Sequence, residues 1–200
     1  MRPAVPHSVA LARHPGTSSE AVRGIEARVS WTPAGGLAFT YIFKGDLARV
    51  RIPPPRRQQR ADRLWQRTCF EAFVSVKGEP AYREFDFAPS GEWAVYDFQR
   101  YRVGGRFVEE GSAPHITLRR TSASLELNAV VAREGLPAIP HGARLKLALC
   151  AVIEEENGML SYWALSHPPG NPDFHHPDGF GLEIEPPIPS PSPACGRGKG

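Results

Sequence analysis

Between Leu64 and Tyr101 apolar and polar residues alternate in short runs, and no helical period appears. Cys69 to Val76 puts Phe70, Ala72, Val74 and Val76 on one parity, all apolar, and Cys69, Glu71, Phe73 and Ser75 on the other, which is mixed. That is the pattern of a strand with one clean face. Lys77-Gly78-Glu79-Pro80 ends it. Tyr82 to Phe87 predicts a second strand, with Arg83, Phe85 and Phe87 on one face and Tyr82, Glu84 and Asp86 on the other. After the turn at Pro89-Ser90-Gly91, Glu92 to Phe98 predicts a third, with Trp93, Val95 and Asp97 opposite Ala94, Tyr96 and Phe98. Connections this short require antiparallel pairing, because a parallel crossover takes a dozen residues or more.

The same pattern runs through the rest of the chain. Ser8–Arg13, Val22–Trp31, Leu37–Phe43, Leu47–Ile52, His115–Arg119, Ser124–Ala132, Leu145–Ile153, Met159–Leu165 and Phe180–Ile184 all read as strands. Leu145–Ile153 is apolar on nearly both parities, as a central strand is. Asn157-Gly158 marks the hairpin after it. Residues 57–65 fit a short helix or an extended loop, and 100–113 reads as loop. Ten to eleven short strands with regular turn signals predict an all-β fold, an antiparallel β-sandwich of immunoglobulin or jelly-roll type.

Composition supports this. Twenty-one prolines and nineteen glycines in 200 residues disfavour long helices. The low-complexity stretch from Pro186 predicts a disordered tail over 186–200 behind a single domain over 1–185. A net charge of +3 with basic residues gathered in 49–67 gives no footprint for nucleic acid. No run reaches the ~20 apolar residues of a membrane helix, and no signal-peptide pattern opens the chain, so the expectation is a cytoplasmic protein without a membrane partner. Cys69, Cys150 and Cys195 have no metal or redox spacing.

Candidate chemistry collects in two places. Depending on register, Glu71, Tyr82, Glu84, Asp86, Trp93 and Asp97 share a face of the meander. Rings stack on sugar C–H groups and carboxylates accept hydroxyl hydrogen bonds, so this content suits a polyol; a plain solvent face is the alternative. The loop 167–178 holds His167, Asp173, His175, His176 and Asp178, a set with the donors of a divalent-metal site but no standard spacing. Met159 with His167, His175 or His176 is the one available axial pair for haem. Paired carboxylates such as Glu71 with Glu84 are the nearest approach to glycoside chemistry. No nucleophile elbow and no phosphate-cradling loop is present.

Three segments carry a resemblance: LWQRTCFEAFVSV, AYREFDFAPSGEWAVYDFQRYR and AVIEEENGMLSYWALSHPPGNPDFHHPDGF. Together they resemble DOMON-like proteins related to type 9 carbohydrate-binding modules, over about residues 64–184. The resemblance implies a β-sandwich with a ligand pocket on one sheet, in relatives that bind sugars or haem. The resulting expectation is a non-catalytic binder of a carbohydrate or polyol, with no cofactor. Trp65, Trp93 and Trp163 wall the ligand, Glu71 and Glu84 accept its hydroxyls, and His167, Asp173 and His175 form the rim. A haem-binding electron carrier and a metal site on the 167–178 loop stand as alternatives.

Overall fold

The computed structural model describes residues 6–108 and 113–187; the predicted tail falls almost wholly outside them. Twelve strands form: β1 (His7–Arg13), β2 (Val22–Trp31), β3 (Leu37–Gly45), β4 (Cys69–Val76), β5 (Tyr82–Phe87), β6 (Trp93–Arg100), β7 (Val103–Phe107), β8 (His115–Arg120), β9 (Ser124–Val131), β10 (Leu145–Glu154), β11 (Leu160–Ala164) and β12 (Leu182–Ile184). All pair antiparallel. The first layer runs β1-β2-β3-β9-β8, and the second runs β7-β6-β5-β4-β10-β11, with β12 also beside β10. β1 belongs to both, pairing with β2 over His7–Leu11 and with β11 at Ala12 and Arg13.

The layers meet on one apolar interior. Phe39 of β3 lies against Phe85 and Phe87 of β5, with ring centroids 6.4 and 5.8 Å apart. Tyr41 packs on Phe70 and donates its hydroxyl to the Glu71 carbonyl at 2.6 Å, which satisfies a polar group in the middle of the core.

The parity of the meander explains its faces. Phe70, Ala72, Val74, Phe85, Phe87 and Val95 point inward. The register sets Glu71 opposite Asp86 and Asp86 opposite Ala94, and Phe73 opposite Glu84 and Glu84 opposite Tyr96. Carboxylates, Tyr96 and Phe98 therefore share the outer face.

Two predicted elements differ. Leu47–Ile52 is not a strand: Asp46 caps a 3-10 turn at Leu47–Arg49, its side chain accepting from the Ala48 N–H, so the local cap outcompetes the ladder. Residues 100–113 are not only loop, because β7 forms there as an edge strand with irregular register. Gly104 and Gly105 supply the positive φ values, 122° and 69°, that this pairing needs. Residues 57–65 run extended along the start of β6 and end in a 3-10 turn at Leu64–Gln66.

Candidate functional site

The outer face of the second layer is not left to solvent. Every residue of β4 is buried, on both parities. Two straps cover it. One is residues 60–66, which cross the face and set Trp65 above it. The other is the loop 166–181, whose Phe174 and Phe180 pack with Phe73, Tyr82, Ala148, Cys150 and Ala164 into a small second core. Between the straps lies a cavity of about 550 Å³ lined by Trp65, Glu71, Glu84, Tyr96, Phe98, Tyr162, Phe174 and His175 among others.

Arg63 and Arg102 also line this cavity, and among the described residues they are the two non-glycine positions with positive φ, 59° and 53°. Backbone held in that region costs about 1–3 kcal/mol per residue and collects at functional sites. Both strained positions bounding one cavity is a strong marker of its purpose.

The floor is acidic. Glu71, Glu84 and Asp86 are all buried, and Glu71 Oε1 and both Asp86 carboxylate oxygens have no hydrogen-bond partner. Burial pushes the Glu71 carboxyl well up, with help from the charge of Glu84. Asp86 is driven up by burial and then by Glu84 and Glu71. Burial raises Glu84 to about 7, with Asp86 and Arg102 pulling the other way. The thiol of Cys69, which lies with Glu71 and Asp86 so that their donor atoms fall within 4.8 Å, is also pushed up by burial and stays neutral.

One side of the floor is held by a polar chain. Tyr82 Oη accepts from the Arg102 N–H at 3.2 Å and bonds Nδ1 of His175 at 2.9 Å. With the Tyr82 hydroxyl donating to Nδ1, the ring hydrogen sits on Nε2, 3.8 Å from Glu84 Oε2. Burial and the nearby Arg102 lower His175 to about 4, so the ring is neutral. Asp173 ties the loop down: it accepts from Tyr101 Oη at 2.6 Å, Arg102 at 2.7 Å and the His175 N–H at 3.1 Å.

Of the predicted site residues, Trp65, Glu71, Glu84 and His175 come together in the cavity wall. Asp173 stands behind that wall as a positioning group. His167 does not reach it: its Nε2 meets the Ala12 carbonyl at 2.8 Å and its ring packs edge-on to His14. Trp93 and Trp163 do not face it either. They point into the sandwich interior, 4% and 7% exposed, because their parity is that of Val95 and of Ala151 across the ladder. Asp97 shares the parity of Trp93 and pairs with Arg83. Met159 sits 40% exposed beside the hairpin turn and is not part of the cavity wall, so it does not face His175 across one chamber. The loop's donors also diverge: His176 accepts from the Asp178 N–H and caps a short turn.

Tyr96, Phe98, Tyr162, Phe174, Arg63 and Arg102 were not foreseen as site residues. Parity held the signal for the first two. Once Trp93 and Val95 are matched to the all-apolar face of β4, Tyr96 and Phe98 must join Glu71 and Glu84.

The fold has solved likenesses. A candidate carbohydrate-binding protein from Bacteroides uniformis superposes with a TM-score of 0.67 at 16% identity, over 91% of this chain and 86% of that one. A family 9 carbohydrate-binding module from Caldicellulosiruptor kristjanssonii, in complex with cellotriose, gives 0.48 at 9% identity over 78% of this chain and 71% of the module. At these identities the likeness is one of fold. No protein-family model and no curated protein matches the sequence.

Proposed function

We propose that this chain binds a carbohydrate or polyol, without transforming it, in the cavity on the outer face of its second layer. The observation that carries the reading is the cavity itself: aromatic side chains wall it, and Glu71, with an unmet carboxylate oxygen, and Glu84 floor it. Rings such as Trp65, Tyr96 and Tyr162 offer flat apolar area for C–H faces, while Glu71 and Glu84 orient hydroxyls. Trp65, at 47% exposed, lines the cavity and leaves much of its ring open to an incoming sugar.

The placement of the carboxyl groups supports binding without cleavage. Glycoside cleavage needs two carboxyl groups on opposite sides of the scissile bond. Glu71 and Glu84 lie on adjacent strands of one face, so both approach a ligand from the same side.

A thermal-shift and calorimetric screen of sugars and polyols against the full chain tests the proposal, with Trp65→Ala as control. A ligand at a hundredfold its dissociation constant stabilises the folded state by about 2.7 kcal/mol. The expected result is a shift for at least one sugar that Trp65→Ala removes. A flat screen, or turnover of a glycoside by the purified chain, overturns it.

A further inference from the structure

Resting on the binding reading above, we infer that the ligand is an amino sugar and that its ammonium group sits on the Glu71–Glu84 floor. Charge balance is the starting point. Glu71, Glu84 and Asp86 share one face of two paired strands and are 2%, 4% and 0% exposed. Among the described residues no lysine or arginine forms an ion pair with any of them. The nearest nitrogen base is Nε2 of His175, 3.8 Å from Glu84. Arg102, the guanidinium whose charge reaches Glu84, is already bonded to Asp173 at 2.7 Å. Buried carboxylates are ordinarily paired or hydrogen-bonded, and an unmet one destabilises the fold. Here Glu71 Oε1 is unmet and Glu71 lines the cavity, while both oxygens of Asp86 are unmet beside it, outside the lining.

The missing partner must bring donors and positive charge together. An ammonium group carries three donors and no acceptor, which matches the floor once its carboxyls are ionised. A neutral hydroxyl brings one donor and no charge to offset an ionised carboxylate. The walls agree, because the faces of Trp65, Tyr96 and Tyr162 attract a cation as well as a sugar's C–H surface. Burial also holds protons on the floor, and an ammonium placed there displaces them by pulling the carboxyls down.

Titration calorimetry of the full chain with glucosamine, glucose and N-acetylglucosamine tests this, with hexylamine as an amine lacking a sugar ring. The expected result is glucosamine binding about tenfold or more tighter than glucose, since a charge-assisted bond replaces a neutral one. N-acetylation, which removes the charge, should remove the advantage, and so should Glu84→Gln or Glu71→Gln. Glucose binding as tightly as glucosamine overturns the amine inference and leaves the sugar reading standing. Hexylamine binding while every sugar fails overturns the sugar reading and leaves the cation seat. An advantage that survives both glutamine variants, or appears only when zinc is added, overturns the seat assigned here. Silence from all four probes overturns both.

Discussion

The two layers of this sandwich are built from the same kind of strand and end in opposite circumstances. In β3 of the first layer burial alternates along the strand, inward residues covered and outward ones open. In β4 of the second layer all eight residues are covered. Water-facing antiparallel sheets normally behave like β3. What differs is the material on the far side: straps of irregular chain over β4, and among the described residues nothing comparable over β3. The inward face of β4 is covered by side chains that match it, and the outward face by a roof that leaves its carboxylates unmet. Burial with complementary partners makes a core; burial without them leaves a cavity with unmet polar atoms.

That contrast can be broken experimentally. The largest effect should come from the matched face. Phe85→Ala, which empties a position against Phe39 and Phe87, should cost about 3–5 kcal/mol in urea unfolding. Trp65→Ala on the roof should cost under about 1 kcal/mol and instead abolish ligand binding.

Next in size is the pH dependence of stability. Glu84 has an ordinary value of 4.5 and a folded value of about 7, so the folded state binds its proton more tightly than the unfolded chain does. Stability should therefore be greatest on the acid side of 4.5 for this group, fall as pH rises towards 7 and level off above it. The drop is on the order of 3 kcal/mol, read from denaturant midpoints across that range, and Glu84→Gln should flatten it.

Asp86→Asn comes third. Replacing an uncompensated buried carboxylate with a neutral isostere should raise stability by about 1–3 kcal/mol above neutral pH and by little in acid, as paired unfolding curves at the two conditions would show. A variant less stable at both would mean the carboxylate has a partner in the folded protein.

The smallest effect concerns the lashing of the roof. Tyr82→Phe removes the hydroxyl that joins His175 to the Arg102 backbone, at a cost near 1 kcal/mol. Hydrogen exchange should quicken at the Arg102 amide while the β3 amides stay protected.

Much of the architecture was legible because parity is a local signal. β4 and β5 occupy the predicted residues, Cys69–Val76 and Tyr82–Phe87, and the hairpin turn falls at Asn157-Gly158, with φ 85° at Gly158. The floor of the site was legible for the same reason, since Glu71 and Glu84 are polar residues inside apolar runs. The walls were not. Whether Trp93 or Tyr96 faces the ligand depends on register between strands, and a one-residue slip exchanges the faces entirely. Tryptophan drew the assignment to Trp93 and Trp163 by its chemistry, whereas their neighbours in the ladder send both inward. β7 stayed hidden because glycine and a positive-φ arginine, ordinarily loop signals, serve there to build a distorted edge. The coverage of β4 was invisible for a further reason: no property of CFEAFVSV reports that two distant loops will lie across it.

The membership of β1 in both layers has an engineering consequence. Its first five residues zip to β2 and its last two to β11, so this one short segment is the seam of the whole garment. A version lacking residues through Arg13 would carry two raw ladder edges at once, open to a stray strand from another molecule. Supplying the heptapeptide HSVALAR in trans should close that seam again and turn the truncated protein into a split reporter.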